Sequence, residues 1–67
     1  MNGRALLALL TERKITQKKL CEAIGIDYTT FYRKVNGQTD FTRDEISAIA
    51  RELKLSDEQI IELFFKD

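Results

Sequence analysis

Histidine and proline are absent from this 67-residue chain, and it carries one cysteine and three glycines. Each scarcity excludes something. Without histidine and with Cys21 alone, no zinc cluster can be assembled and no intrachain disulfide can close. No nucleophile can be paired with a base, and Glu45, Glu52, Glu58 and Glu62 fall on helix faces where solvation accounts for them, so the sequence is not read as an enzyme. No stretch approaches the ~18–20 apolar residues of a membrane span. The apolar run near the N-terminus is short and precedes no small-residue cleavage site. Together with the lone cysteine, this sets the expectation of a cytoplasmic, reducing setting. No cofactor, metal or small-molecule ligand is expected, because so small a core leaves little room for a pocket.

What is present is one domain's worth of chain, residues 1–67, near the lower limit for a core that folds without metals or disulfides. Eleven basic and eleven acidic side chains cancel formally, but they are not evenly spread. Residues 1–37 hold seven basic side chains (Arg4, Arg13, Lys14, Lys18, Lys19, Arg33, Lys34) against three acidic ones, a surplus of +4. Residues 38–67 hold four basic against eight acidic, a balance of −4. Binding to a polyanion responds to such local charge rather than to the total.

Apolar residues recur at helical spacing nearly throughout, and no period-two strand pattern emerges. Five helices are predicted. The first covers about residues 3–13, with Leu6, Leu9, Leu10 and Arg13 on one face. Thr16 caps a second from Gln17 to Ile24, which stops at Gly25 because glycine takes the left-handed conformation at low cost. Asp27 caps a third from Tyr28 to about Asn36, with Asn36-Gly37 as its stop. Thr42 to Glu45 and Ser56 to Gln59 carry the capping-box pattern and open two more. Ile46, Ile49, Ala50 and Leu53 form the inner face of the fourth. Ile60, Leu63 and Phe64 form that of the fifth. Phe41, just before its cap, is placed to staple onto Ile46. The expected fold is all-α and compact.

Residues 16–37 read as helix, tight turn and second helix, held by Leu20, Ile24, Ile26, Phe31 and Val35. That layout is how a small domain presents one helix to the DNA major groove. With Thr16-Gln17, small Cys21, Gly25 and Asn36-Gly37 at matching spacing, the chain resembles the Xre-like helix-turn-helix family of phage repressors, Cro proteins and related bacterial regulators. The later segment, residues 41–65, is similar to the last two helices of short phage regulators. Two departures stand out. Cys21 replaces a common alanine, a small and readily buried exchange. Leu10 and Val35 replace a common Arg–Glu pair, and an apolar pair can substitute for a buried ion pair without loss of stability.

The resemblance implies a lambda-repressor-like domain that binds double-stranded DNA. In the third helix, Phe31 and Val35 mark the core face. Thr29 and Arg33 lie roughly opposite, with Tyr28 and Tyr32 on a flank. Carried over by position, the residues facing base edges are Tyr28, Thr29 and Arg33, with Tyr32 nearby. Arginine bonds bidentately to guanine O6 and N7, and threonine offers a hydroxyl and a methyl. The tyrosines can instead pack partly against the first helix. Asp27 is read as a cap rather than a base contact. The residues expected at phosphates are Gln17, Lys18, Thr30, Asn36, Thr39 and Arg43. Lys19 and Lys34 are longer-range candidates, for which plain solvation serves equally well.

One recognition helix reads only a few base pairs, and short members of the family usually bind palindromic operators as two-fold dimers. Leu63 and Phe65, or Phe65 with Ile61, form the candidate dimer patch, unless the tail simply folds back. The expected function is that of a Cro-like phage or prophage repressor. An antitoxin-type autoregulator and a protein-interaction module on the same fold are the alternatives.

Overall fold

The computed structural model describes residues 1–66; Asp67, the last residue of the expected domain, lies outside the described residues. Five helices follow one another: α1 (Gly3–Glu12), α2 (Gln17–Ile24), α3 (Tyr28–Val35), α4 (Arg43–Leu53) and α5 (Asp57–Ile60). The last runs on without a break into a π-helical turn, Ile61–Phe65. Among the described residues there is no strand.

Each start is fixed by a short side chain that satisfies an otherwise free amide of the first turn. Thr16, Asp27, Thr42 and Ser56 cap α2 to α5 as their sequence positions predict, and both capping boxes are closed reciprocally. Asn2 caps α1, its Oδ1 accepting from the Ala5 amide at 3.1 Å. The stops are equally regular. In α1 to α4 a left-handed residue follows the last turn, and the next amide reaches back to a carbonyl five residues earlier. Gly25 and Gly37 fill this position after α2 and α3, with φ of 77° and 80°; Lys14 and Lys54 fill it after α1 and α4, with φ of 58° and 52°.

The core is built from Leu6 and Leu10 of α1, Leu20 and Cys21 of α2, Phe31 of α3, and Ile49 and Leu53 of α4. Phe41, Leu63 and Phe64 close it from the C-terminal half. Phe41 stands edge-on to both Phe31 and Phe64, with centroids 6.1 and 5.7 Å apart. Such edge-to-face stacking aligns ring edges with ring faces and adds to the gain from burial. It joins α3, the α3–α4 loop and the C-terminal turn. The ends of the chain are also tied, the Asn2 amide donating to the Leu63 carbonyl at 2.7 Å.

One expectation changes. Leu63 is only 5% exposed and belongs to the core, so it forms no part of a surface patch. Phe65 (67% exposed) and Ile61 (49%) remain outside. Leu63 and Phe64 are buried and Ile60 half-buried, the inner face that helical spacing at i, i+3 and i+4 predicts, with Phe65 outside it. On α1, Gly3 lies close against Val35 of α3. Leu10 lies buried in the core, and Val35 packs half-buried against that cluster.

A candidate DNA interface on the third helix

The α2–α3 unit is held by local chemistry at three points. Gly25 turns the chain with φ 77° and ψ 29°, and the Ile26 amide closes the turn on the Cys21 carbonyl at 3.1 Å. Asp27 then opens α3, its Oδ1 accepting from the Thr30 amide at 3.1 Å. Hydrogen bonds from the Thr30 side chain and amide hold the Asp27 carboxyl below its usual range, and the Arg33 charge adds to this. Asp27 is therefore the charged cap of the helix, where a carboxylate also complements the helix dipole. Thr30 is half-buried and engaged with that cap.

Beyond the cap, α3 divides cleanly. Phe31 is fully buried, Lys34 is buried and Val35 half-buried, at i, i+3 and i+4. Tyr28, Thr29, Tyr32 and Arg33 are all exposed. They form two rows of i, i+4 neighbours, Tyr28 with Tyr32 and Thr29 with Arg33. The tyrosines are 54% and 53% exposed, with centroids 6.3 Å apart and rings tilted by 36°. Each thus presents half its surface outward. Among the described residues, Arg33 makes no ion pair. Two aromatic rings, a hydroxyl and an unpaired guanidinium on one surface can stack on, donate to and accept from base edges.

The six residues expected at phosphates lie around this helix on separate elements. Lys18, Asn36, Thr39 and Arg43 are exposed, while Gln17 and Thr30 are half-buried. Gln17 and Lys18 occupy the first two positions of α2, just after the Thr16 cap. Asn36 folds back on its own helix, its Nδ2 donating to the Tyr32 carbonyl at 2.9 Å. Arg43 opens α4.

Lys34 is corrected. Only 9% exposed, it directs its ammonium to Glu45 Oε1 at 2.5 Å, and so is a structural cation rather than a solvent-facing one. The same carboxylate oxygen accepts from the Thr42 amide at 2.8 Å. Burial pushes the Glu45 carboxyl up, but the hydrogen bonds from Lys34 and Thr42, with the Lys34 charge, outweigh it and leave it lowered. The Lys34 ammonium also lies 5.9 Å from the Phe41 ring centroid. The signal for this clamp is present in the sequence: Lys34 shares the Phe31 face at i+3, and Glu45 is the acidic member of a capping box.

Cys21 sits behind the turn. Burial, followed by the negative charges of Asp27 and Glu22, pushes its thiol above the ordinary value, so it is a neutral packing group at physiological pH.

The profile of the Cro/C1-type HTH DNA-binding domain matches residues 5–66. This chain belongs to that family. The match takes in all but the first two residues of α1, all of the later helices and the whole exposed face of α3, so the chain is a DNA-binding protein of the helix-turn-helix type. Comparison with curated proteins yields no match, and comparison with solved structures yields none. No described helix is long and apolar enough to cross a membrane.

Proposed function

We propose that the protein is a sequence-specific transcriptional regulator of the Cro-like repressor type, laying α3 in the major groove of a palindromic operator. The observation that carries this reading is the exposed face of α3. Tyr28, Thr29, Tyr32 and Arg33 all point away from the core, on a helix fixed by a cap at one end and an ion pair at the other. Arg33 reads guanine, Thr29 reads a neighbouring base by hydroxyl or methyl, and the tyrosines pack on thymine methyls, sugars or phosphates. Gln17, Lys18, Thr30, Asn36, Thr39 and Arg43 set register along the backbone without selecting sequence. The free amides at the start of α2 favour an anion there.

A single eight-residue helix covers too few base pairs for a unique site, which favours two copies on a two-fold operator. The domain has Cα extents of 26 × 25 × 20 Å. With side chains added, two copies side by side match half-sites about 34 Å apart, one turn of the duplex. Repression follows sterically when the bound pair covers promoter DNA.

Selection of random duplexes by the purified protein, at low and at moderate salt, tests this reading. An enriched palindrome with half-sites one turn apart supports it. Salt-sensitive binding without enrichment, or no binding, contradicts sequence reading and favours an interaction module on the same fold.

A further inference from the structure

The chain holds two asparagines, Asn2 and Asn36, and each is followed by glycine. That dipeptide is open to intramolecular attack, because glycine puts no side chain in the way of its own amide nitrogen. At the end of α3 both residues are exposed. Apart from its chain neighbours, nothing comes within 4 Å of where a Cβ on Gly37 would stand. The reaction needs only water. The Gly37 nitrogen loses its proton to solvent and forms a bond to Asn36 Cγ. The Cγ–Nδ2 bond breaks, and Nδ2 takes up a proton and leaves as ammonia. Water then opens the five-membered imide at one of its two carbonyls. One opening gives aspartate; the other gives isoaspartate, with the backbone rerouted through Cβ and Cγ.

The fold holds this chemistry back. Ring closure requires the Gly37 nitrogen to eclipse Asn36 Cβ. At the observed ψ of 3° it eclipses the Asn36 backbone nitrogen instead. The Gly37 amide donates to the Lys34 carbonyl at 3.1 Å, and the Gln38 amide donates to the Arg33 carbonyl at 2.9 Å. Asn36 Nδ2 donates to the Tyr32 carbonyl at 2.9 Å. The attacking nitrogen and the leaving nitrogen are thus both engaged, and the last turn of α3 must open before they can meet.

Conversion also reverses what the side chain does there. A carboxylate only accepts, so it would face the Tyr32 oxygen with no proton between them. It would add a negative charge at the C-terminal end of a helix, where the helix dipole disfavours one. Asn2 gives the contrast. Its Oδ1 accepts from the Ala5 amide at the start of α1, a task that aspartate performs equally well. Hydrolysis to aspartate is therefore conservative at Asn2 and disruptive at Asn36.

We infer that Asn36 is a site of spontaneous deamidation, gated by opening of the last turn of α3, and that its conversion loosens the end of that helix. The reaction and its effect on α3 are independent of DNA. Its effect on DNA binding rests on the proposed function, which sets Asn36 beside a phosphate that a new carboxylate would repel.

Incubation of the purified chain at mildly alkaline pH, with and without guanidinium chloride, followed by peptide mass spectrometry, tests this. The unfolded chain should convert at Asn36 about tenfold faster than the folded one, the factor that an opening cost of 1.4 kcal/mol represents. Asn36→Gln, whose longer side chain closes the larger ring far less readily, should show no acid at that position. Asn36→Asp should lower the thermal midpoint, and Asn2→Asp should not. Equal rates in the folded and unfolded chains overturn the gating. A folded chain with no acid at position 36, once the unfolded chain has converted completely, overturns the site. An Asn36→Asp variant as stable as wild type overturns the loosening of α3. Converted protein that is destabilised but binds DNA as before leaves the inference standing and removes Asn36 from the phosphate contacts.

Discussion

Lys34 and Glu45 form a largely buried ion pair, Nζ to Oε1 at 2.5 Å, that fastens the inner face of α3 to the start of α4. The same oxygen closes the Thr42 capping box, so a single carboxylate anchors one helix and begins another. Removing it leaves an ammonium with little solvent and no partner. Glu45→Ala is therefore expected to cost about 1.5–3 kcal/mol, the worth of hydrogen bonds to charged groups, out of a total of roughly 5 kcal/mol or somewhat more. Exchanging both partners for apolar residues, Lys34→Met with Glu45→Leu, should recover part of this. Urea unfolding of the single and double variants measures the coupling.

The pair also sets an acid limit. The Glu45 carboxyl is lowered in the folded chain from its ordinary 4.5, so the unfolded chain takes up its proton first as pH falls. The resulting stabilisation is fully present above the ordinary value and is lost as pH falls through the folded one. Asp27, lowered in the same way from 3.8, adds a contribution of the same sign. Thermal unfolding from neutral to acid pH should show the midpoint dropping below about pH 4.5, the unfolded value. Glu45→Gln should start lower and drop less steeply.

Lys14 and Lys54 hold a conformation that L side chains disfavour, at φ 58° and 52°. The left-handed region costs a non-glycine residue roughly 1–2 kcal/mol, of which the greater chain freedom of glycine when unfolded takes back some. Lys54→Gly should stabilise the domain by about 0.5–1 kcal/mol. A rise of several degrees in the unfolding midpoint checks it, and no rise would show that the lysine side chain makes compensating contacts.

Gly3 has the opposite sensitivity. A Cβ there would run into the Val35 carbonyl and lie 2.9 Å from Val35 Cγ1. Gly3→Ala improves intrinsic helix propensity but should still destabilise, by about 1–3 kcal/mol, the usual cost of overpacking. Because Val35 ends α3, the strain falls on the helix proposed to face DNA, and DNA affinity should fall with stability.

Much of the fold is legible in the sequence because its boundaries are local. A Thr, Asp or Ser three residues before the amide it caps can be read directly, as at Thr16, Asp27, Thr42 and Ser56, and Gly25 and Gly37 mark stops for the same reason. The outward set on α3 follows from Phe31 and helical spacing alone. What was not legible depends on neighbours distant in the chain. Lys34 on the Phe31 face and Glu45 in its capping box are each readable, but that they meet across eleven residues is decided by how α3 lies against α4. Gly3 shows its purpose only once Val35 lies against it. Lys14 and Lys54 take a role that sequence assigns to glycine, because the turn is imposed by the packing of the next helix. The π-helical turn over Ile61–Phe65 has no local signal of this kind, although the inward set of Ile60, Leu63 and Phe64 follows from ordinary helical spacing.

On the proposed function, α3 reads base sequence through Arg33. This claim is tested most directly by binding of wild type, Arg33→Ala and Lys18→Ala to a selected site and to a scrambled duplex of equal composition. Arg33→Ala should lose roughly 1–3 kcal/mol more on the selected site than on the scrambled one. Lys18→Ala should lose about equally on both and flatten the salt dependence. Equal losses for Arg33→Ala on the two duplexes would contradict the claim.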